Sequence, residues 1–136
     1  MQHSKDYLER EVEKLSLMLI SLIEKVMGLN ANTTSDELDE IDATLQGELD
    51  LNLGKVSEME SKEFLDYISD FHETHLKHLS ELLYQLVLKT DSQKLNQKLD
   101  TPKIADKAIL LIDVLDQKSK TFSIERLQMK EHLKTF

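Results

Sequence analysis

The chain contains no cysteine and no tryptophan, and only one proline and three glycines interrupt its 136 residues. Without cysteine there are no disulfides, no thiolate metal ligands and no thiol nucleophile, which fits a cytoplasmic setting. Three scattered glycines cannot build a phosphate-cradling loop. Long apolar runs are also missing. The longest, Leu15 to Ile23, is interrupted by Ser21 and followed by Glu24 and Lys25, well short of the roughly 20 apolar residues of a membrane span. Met1–Arg10 carries Asp6 and Glu9 where a secretory signal needs a basic segment. Basic charge is scarce as well: the formal net charge is −9. Ten acidic residues face two basic ones between Gly28 and Glu63. Affinity for nucleic acid rests on clustered Lys and Arg, so no nucleic-acid partner is expected.

What the chain does have is apolar periodicity. Hydrophobic residues make up 40% and aromatics 5%, and they recur at steps of three and four, the period of an amphipathic α-helix. The pattern predicts one all-α domain over residues 1–136, built of antiparallel helical hairpins (tetratricopeptide-like or an irregular bundle) with six to seven helices. The first helix is expected over about residues 5–27, with Ser4 as N-cap and Gly28 as stop. Leu8, Val12, Leu15, Leu19, Leu22 and Val26 step 4, 3, 4, 3, 4, a seam of heptad type. Leu17, Met18, Ile20, Ile23 and Met27 add apolar surface outside that seam. A helix apolar on more than one face is buried on more than one side. Either it is the centre of the bundle, or one face meets another chain.

Further along, Thr34 and Glu37 form a capping box for a second helix with Leu38, Ile41 and Leu45 inward. Leu49, Leu51 and Leu53 suggest a short extended or 3₁₀ connection with hydrophobic anchors. Ser57 or Ser61 is expected to cap a third helix facing Phe64, Ile68 and Phe71 inward. A fourth runs from about His72 to Lys89 on Leu76, Leu79, Leu83, Leu86 and Val87, ending in a polar turn near Thr90–Ser92. Thr101-Pro102 reads as N-cap plus first helical residue of a helix carrying Ile104, Ala108, Leu111, Ile112 and Leu115. Ser123 caps the last helix, with Phe122 stapled onto Leu127 and Leu127, Met129 and Leu133 inward.

Two stretches carry a resemblance. Asp6-Tyr7-Leu8-Glu9-Arg10-Glu11-Val12-Glu13 resembles the start of small uncharacterised bacterial all-helical proteins. Leu82-Leu83-Tyr84, Lys107-Ala108 with Leu111 and Leu115, and Thr121-Phe122-Ser123 with Arg126 resemble their degenerate tetratricopeptide-like hairpins. The resemblance implies a helical-hairpin stack with an N-terminal helix used for self-association, and it implies no activity. The chain departs from the tetratricopeptide pattern in lacking tryptophan, the Leu-Gly pair and a second copy at a 34-residue period.

The chemistry-bearing constellations are few. His72, His75 and His78 stand three apart, close enough in pairs to share a metal. The metalloprotease pattern wants histidines four apart, and three successive steps of three rotate around the helix. Asp50-Leu51-Asn52-Leu53-Gly54 is similar to the opening of a calcium loop, but glycine arrives one residue early and Ser61 stands at the terminal glutamate position. No serine sits in a Gly-x-Ser-x-Gly elbow. The expected function is a non-catalytic protein–protein interaction module without a cofactor, a homodimer through Leu17, Ile20, Ile23 and Met27 with a further unidentified protein partner. The alternative is a metal-binding protein or metal-dependent enzyme using His72, His75 and His78.

Overall fold

A computed structural model describes the backbone of residues 2–30, 35–93 and 99–136, and the side chains of 7–30, 36–91 and 99–136. Among the described residues there are seven helices and no strand: α1 (Gln2–Met27), α2 (Ser35–Leu49), α3 (Leu53–Glu58), α4 (Ser61–Ile68), α5 (Glu73–Gln93), α6 (Thr101–Ser119) and α7 (Ile124–Leu133). They pack as an all-α bundle. None of the described helices is long and apolar enough to cross a membrane.

The centre is the α5–α6 pair. Leu76, Leu79, Leu82, Leu83, Leu86 and Val87 are all buried on α5. On α6, Ile104, Leu111, Ile112 and Leu115 are buried together with the small Ala105 and Ala108, which let two helix axes approach closely. The pair is antiparallel: Lys118 Nζ, at the end of α6, donates to the carbonyls of Ser69 (2.6 Å) and Phe71 (2.9 Å), just before α5 begins. α7 folds back along α6, with Arg126 on Asp116 and Lys130 on Asp113 at 2.6 Å each.

α1 lies on the flank of α5 and not at the centre. His75, in the first turn of α5, meets the carbonyl of Val12, and the buried residues Ser16, Leu19, Leu22 and Val26 all follow that point. The two helices therefore run in the same direction. N-terminal to Val12, α1 extends past the start of α5, leaving Tyr7 and Leu8 each 62% exposed. α2 returns antiparallel to α1, since Ile41 shares a recess with Gly28 and Leu29 whereas Glu48 shares one with Glu11 and Leu15.

Several helix ends differ from the sequence expectation. α1 begins at Gln2, so Ser4 lies inside it. Gly28 closes it without a positive φ: its N–H reaches Glu24 and Lys25, and Leu29 N–H reaches Val26. Thr34 lies outside the described residues. α2 runs through Gly47 to Leu49 and is reversed by Asp50 at φ 52°. Leu51 and Leu53 are the buried anchors after it, but Leu53 already opens an additional short helix, capped by Asn52. Ser61 is the first residue of α4 and caps nothing; Glu60 holds the N-cap position without a side-chain bond. Thr90 and Ser92 are helical, because α5 continues to Gln93. The N-cap of α6 is Asp100, whose carboxylate accepts from Lys103 N–H. Asp and Thr both cap well, and the helix begins at Thr101, one residue before the expected start. Ser123 caps α7 as expected, but Phe122 stays 78% exposed and Leu127 is exposed too. Of the last stripe only Leu133 is fully buried.

Candidate functional site

The three histidines do not act together. His72 is the residue before α5, and its Nδ1 accepts the N–H of Thr74 at 3.1 Å, an N-cap bond made by imidazole. His75 is buried, and its Nε2 donates to the Val12 carbonyl at 3.0 Å, tying α5 to α1. His78 points elsewhere. Its Nδ1 is buried without a hydrogen-bond partner and stands 3.9 Å from Glu81. Burial pulls the His78 pKa below the usual histidine value, with Glu81 opposing. The His72 and His75 rings are 5.7 Å apart, yet each uses a nitrogen in a structural bond. Among the described residues no group of three His, Asp or Glu side chains is placed to hold a metal ion.

The calcium-like run is likewise engaged with protein groups. Asp50 Oδ1 accepts from Gln46 Nε2 at 2.7 Å, and Asn52 Oδ1 accepts from Lys55 N–H at 2.9 Å. Asp42 accepts from the N–H of Leu53, and the Tyr67 hydroxyl donates to the Leu49 carbonyl. These bonds clamp the α2–α3 reversal; they do not converge on a vacant point. Burial, with Asp50 nearby, raises the Tyr67 pKa, so the phenol remains a donor.

Uncovered apolar surface lies on α1, at Tyr7, Leu8, Leu17 and Met27, and around the start of α7, at Phe122, Ile124 and Leu127. Of the four residues expected at an interface, Leu17 is 59% and Met27 54% exposed. Ile20 is half-buried, and Ile23 packs partly against the core. The heptad seam divides in the middle. Leu19, Leu22 and Val26 are fully buried, Leu15 and Val12 are half-buried, and Leu8 is exposed. Where the seam loses its cover, a groove of about 650 Å³ opens between α1 and the start of α5. Leu8, Val12 and Ser16 form its α1 wall, Glu9 and Glu13 its rim, and His72 and Thr74 its far side.

Two buried polar side chains escape a reading of the sequence. Ser16 is 7% exposed and its Oγ has no hydrogen-bond partner. The Val12 carbonyl four residues back, one acceptor open to a helical serine, receives His75. The other is Lys107, buried at 5% exposure with its Nζ 6.0 Å above the ring of Phe64. Desolvation, only partly opposed by Asp106, lowers its pKa. A lysine at a position of the α6 stripe is the one available signal for it, and that signal is faint because lysine stems often lie along apolar surface.

The chain matches no protein-family model, no curated protein and no solved structure.

Proposed function

We propose that the chain is a non-catalytic helical interaction module that self-associates through α1. One observation carries the reading: a helix already buried along one face by its own bundle keeps Leu17 and Met27 more than half exposed, beside half-buried Ile20. Ile23 forms the inner edge of that stripe against the core. Burying such a stripe against a twin releases water from apolar surface at about 25 cal/mol per Å², and a two-fold arrangement uses one patch twice. The histidines support the reading from the other side, since His72 and His75 hold helices in place. The succession α5, α6, α7, each antiparallel to the one before, is read as a degenerate tetratricopeptide-like stack that would present a surface to a further protein partner. Lack of cysteine suits a cytoplasmic location.

Sedimentation equilibrium at micromolar concentration tests the proposal. The expected result is a dimer in the unaltered chain and a monomer in Ile20→Glu, with helical circular dichroism and thermal midpoint preserved. A clean monomer in the unaltered chain overturns it. Leu19→Asp is unsuitable, because Leu19 is fully buried in the chain's own core.

A further inference from the structure

The side of α1 turned away from its neighbours has a charge pattern that limits how a second copy can lie on it. α5 fastens to α1 at Val12, and α2 shares a recess with Lys14 and Leu15. Away from both, Arg10, Glu13, Leu17, Ile20, Glu24 and Met27 follow one another at steps of 3, 4, 3, 4 and 3. That is a second seam of heptad spacing on the same helix. Ile20 is half-buried and the other five are exposed. Arg10, Glu13 and Glu24 make no ion pair with a described residue. The seam is therefore apolar at Leu17, Ile20 and Met27, with a carboxylate inside that stretch and two charges before it.

These charges discriminate between the ways two such seams can meet. Parallel helices in register set each residue against itself, so Glu24 meets Glu24, Glu13 meets Glu13 and Arg10 meets Arg10. Antiparallel helices with the two-fold between Leu17 and Ile20 set Glu13 against Glu24. Both arrangements put like charges face to face, which an interface penalises. With the two-fold at the level of Leu22, Leu17 faces the partner's Met27 and Ile20 faces the partner's Glu24. Each of these pairs stands symmetrically about that level. All three apolar residues are then covered, and Arg10 and Glu13 lie beyond the apolar overlap. Registers further out in either direction carry Leu17 and Ile20 off the partner's apolar stretch.

We infer that two copies pair through antiparallel α1 helices with the two-fold at the level of Leu22. The pairing rests on the self-association proposed above and adds its direction and register. Charge here acts by rejecting the wrong alignments, the role it commonly has at interfaces.

The chain has no cysteine, so placed thiols report the alignment directly. Full-length chains carrying Leu17→Cys and Met27→Cys are mixed and mildly oxidised. A disulfide between the two variants is expected, because facing positions come within the about 4.4–6.8 Å between Cα atoms that the bond spans. Each variant alone should stay largely unlinked, and mass spectrometry of the joined peptides identifies the bond. Sedimentation equilibrium supplies a second readout. Glu24→Leu should tighten the dimer about tenfold, because it makes two facing layers apolar. Glu13→Leu, beyond the overlap, should leave the affinity within about twofold. In either rejected arrangement both variants would tighten it. Leu17, Met27, Glu13 and Glu24 are all exposed, and circular dichroism checks that each variant folds.

Self-linking of Leu17→Cys or Ile20→Cys would assign the parallel pair and overturn the inference. A bond between Leu17→Cys and Ile20→Cys chains would assign the other antiparallel register and overturn it too. So would a dimer that forms no bond between the Leu17→Cys and Met27→Cys chains. An unaltered chain that sediments as a monomer overturns self-association itself and this alignment with it, a result read before any thiol is placed.

Discussion

Single residues in this bundle carry two opposite kinds of tension. Ser16 and His78 keep buried polar atoms unbonded, and Lys107 keeps an amine over an aromatic ring with no described carboxylate in an ion pair. A cation–π contact returns about 0.5–2 kcal/mol, and partial desolvation of the amine works against it. Lys107→Met should therefore raise stability by about 1 kcal/mol, or about 3–5 °C in thermal midpoint for a chain of this size. The pH dependence has a definite sign. The folded amine has the lower pKa, so the unfolded chain binds more protons over the window between that value and about 10.5. Stability of the unaltered chain rises with pH through that window, and the advantage of Lys107→Met should shrink there. Thermal melts at pH 7 and pH 10 measure both effects, and a variant that melts lower at pH 7 would show that the amine is better satisfied than the ring contact suggests.

At the scale of elements, the α6–α7 hairpin depends on Arg126. Its Nε donates to Asp116 at 2.6 Å, and one terminal nitrogen donates to the Thr121 carbonyl at 2.8 Å. The guanidinium thus bridges the end of α6, the left-handed turn at Lys120 (φ 55°) and the start of α7. Arg126→Ala should destabilise the chain by about 1–2 kcal/mol, read from urea denaturation, and hydrogen exchange should quicken in α7 first. The helices themselves were legible in the sequence wherever a stripe was long: Leu76, Leu79, Leu83, Leu86 and Val87 are all buried as the period requires. Their ends were less legible. Asp100 and Thr101 compete as caps, and the polar Thr90–Ser92 continues a helix that local polarity would end. The groove was not legible at all. It opens where α1 runs past the start of α5, and no local spacing encodes where along α1 the distant His75 docks.

For the molecule as a whole, charge is the dominant long-range term. Twenty-six acidic residues face seventeen basic ones, and self-repulsion works against the compact state. Moderate salt screens it over distances beyond about 10 Å. The thermal midpoint should therefore rise between 20 and about 150 mM NaCl, despite weakening of exposed ion pairs such as Lys134–Glu131; calorimetry checks this, and a falling midpoint would show that local pairs outweigh the net charge. The same-direction pairing of α1 with α5 has a different outcome, in time. On the ribosome α1 is made before α5, and the imidazole that fastens it is translated 63 residues after Val12. At synthesis rates of about 5–20 residues per second, its greasy flank waits seconds for a berth, an interval in which a chaperone would find it uncovered.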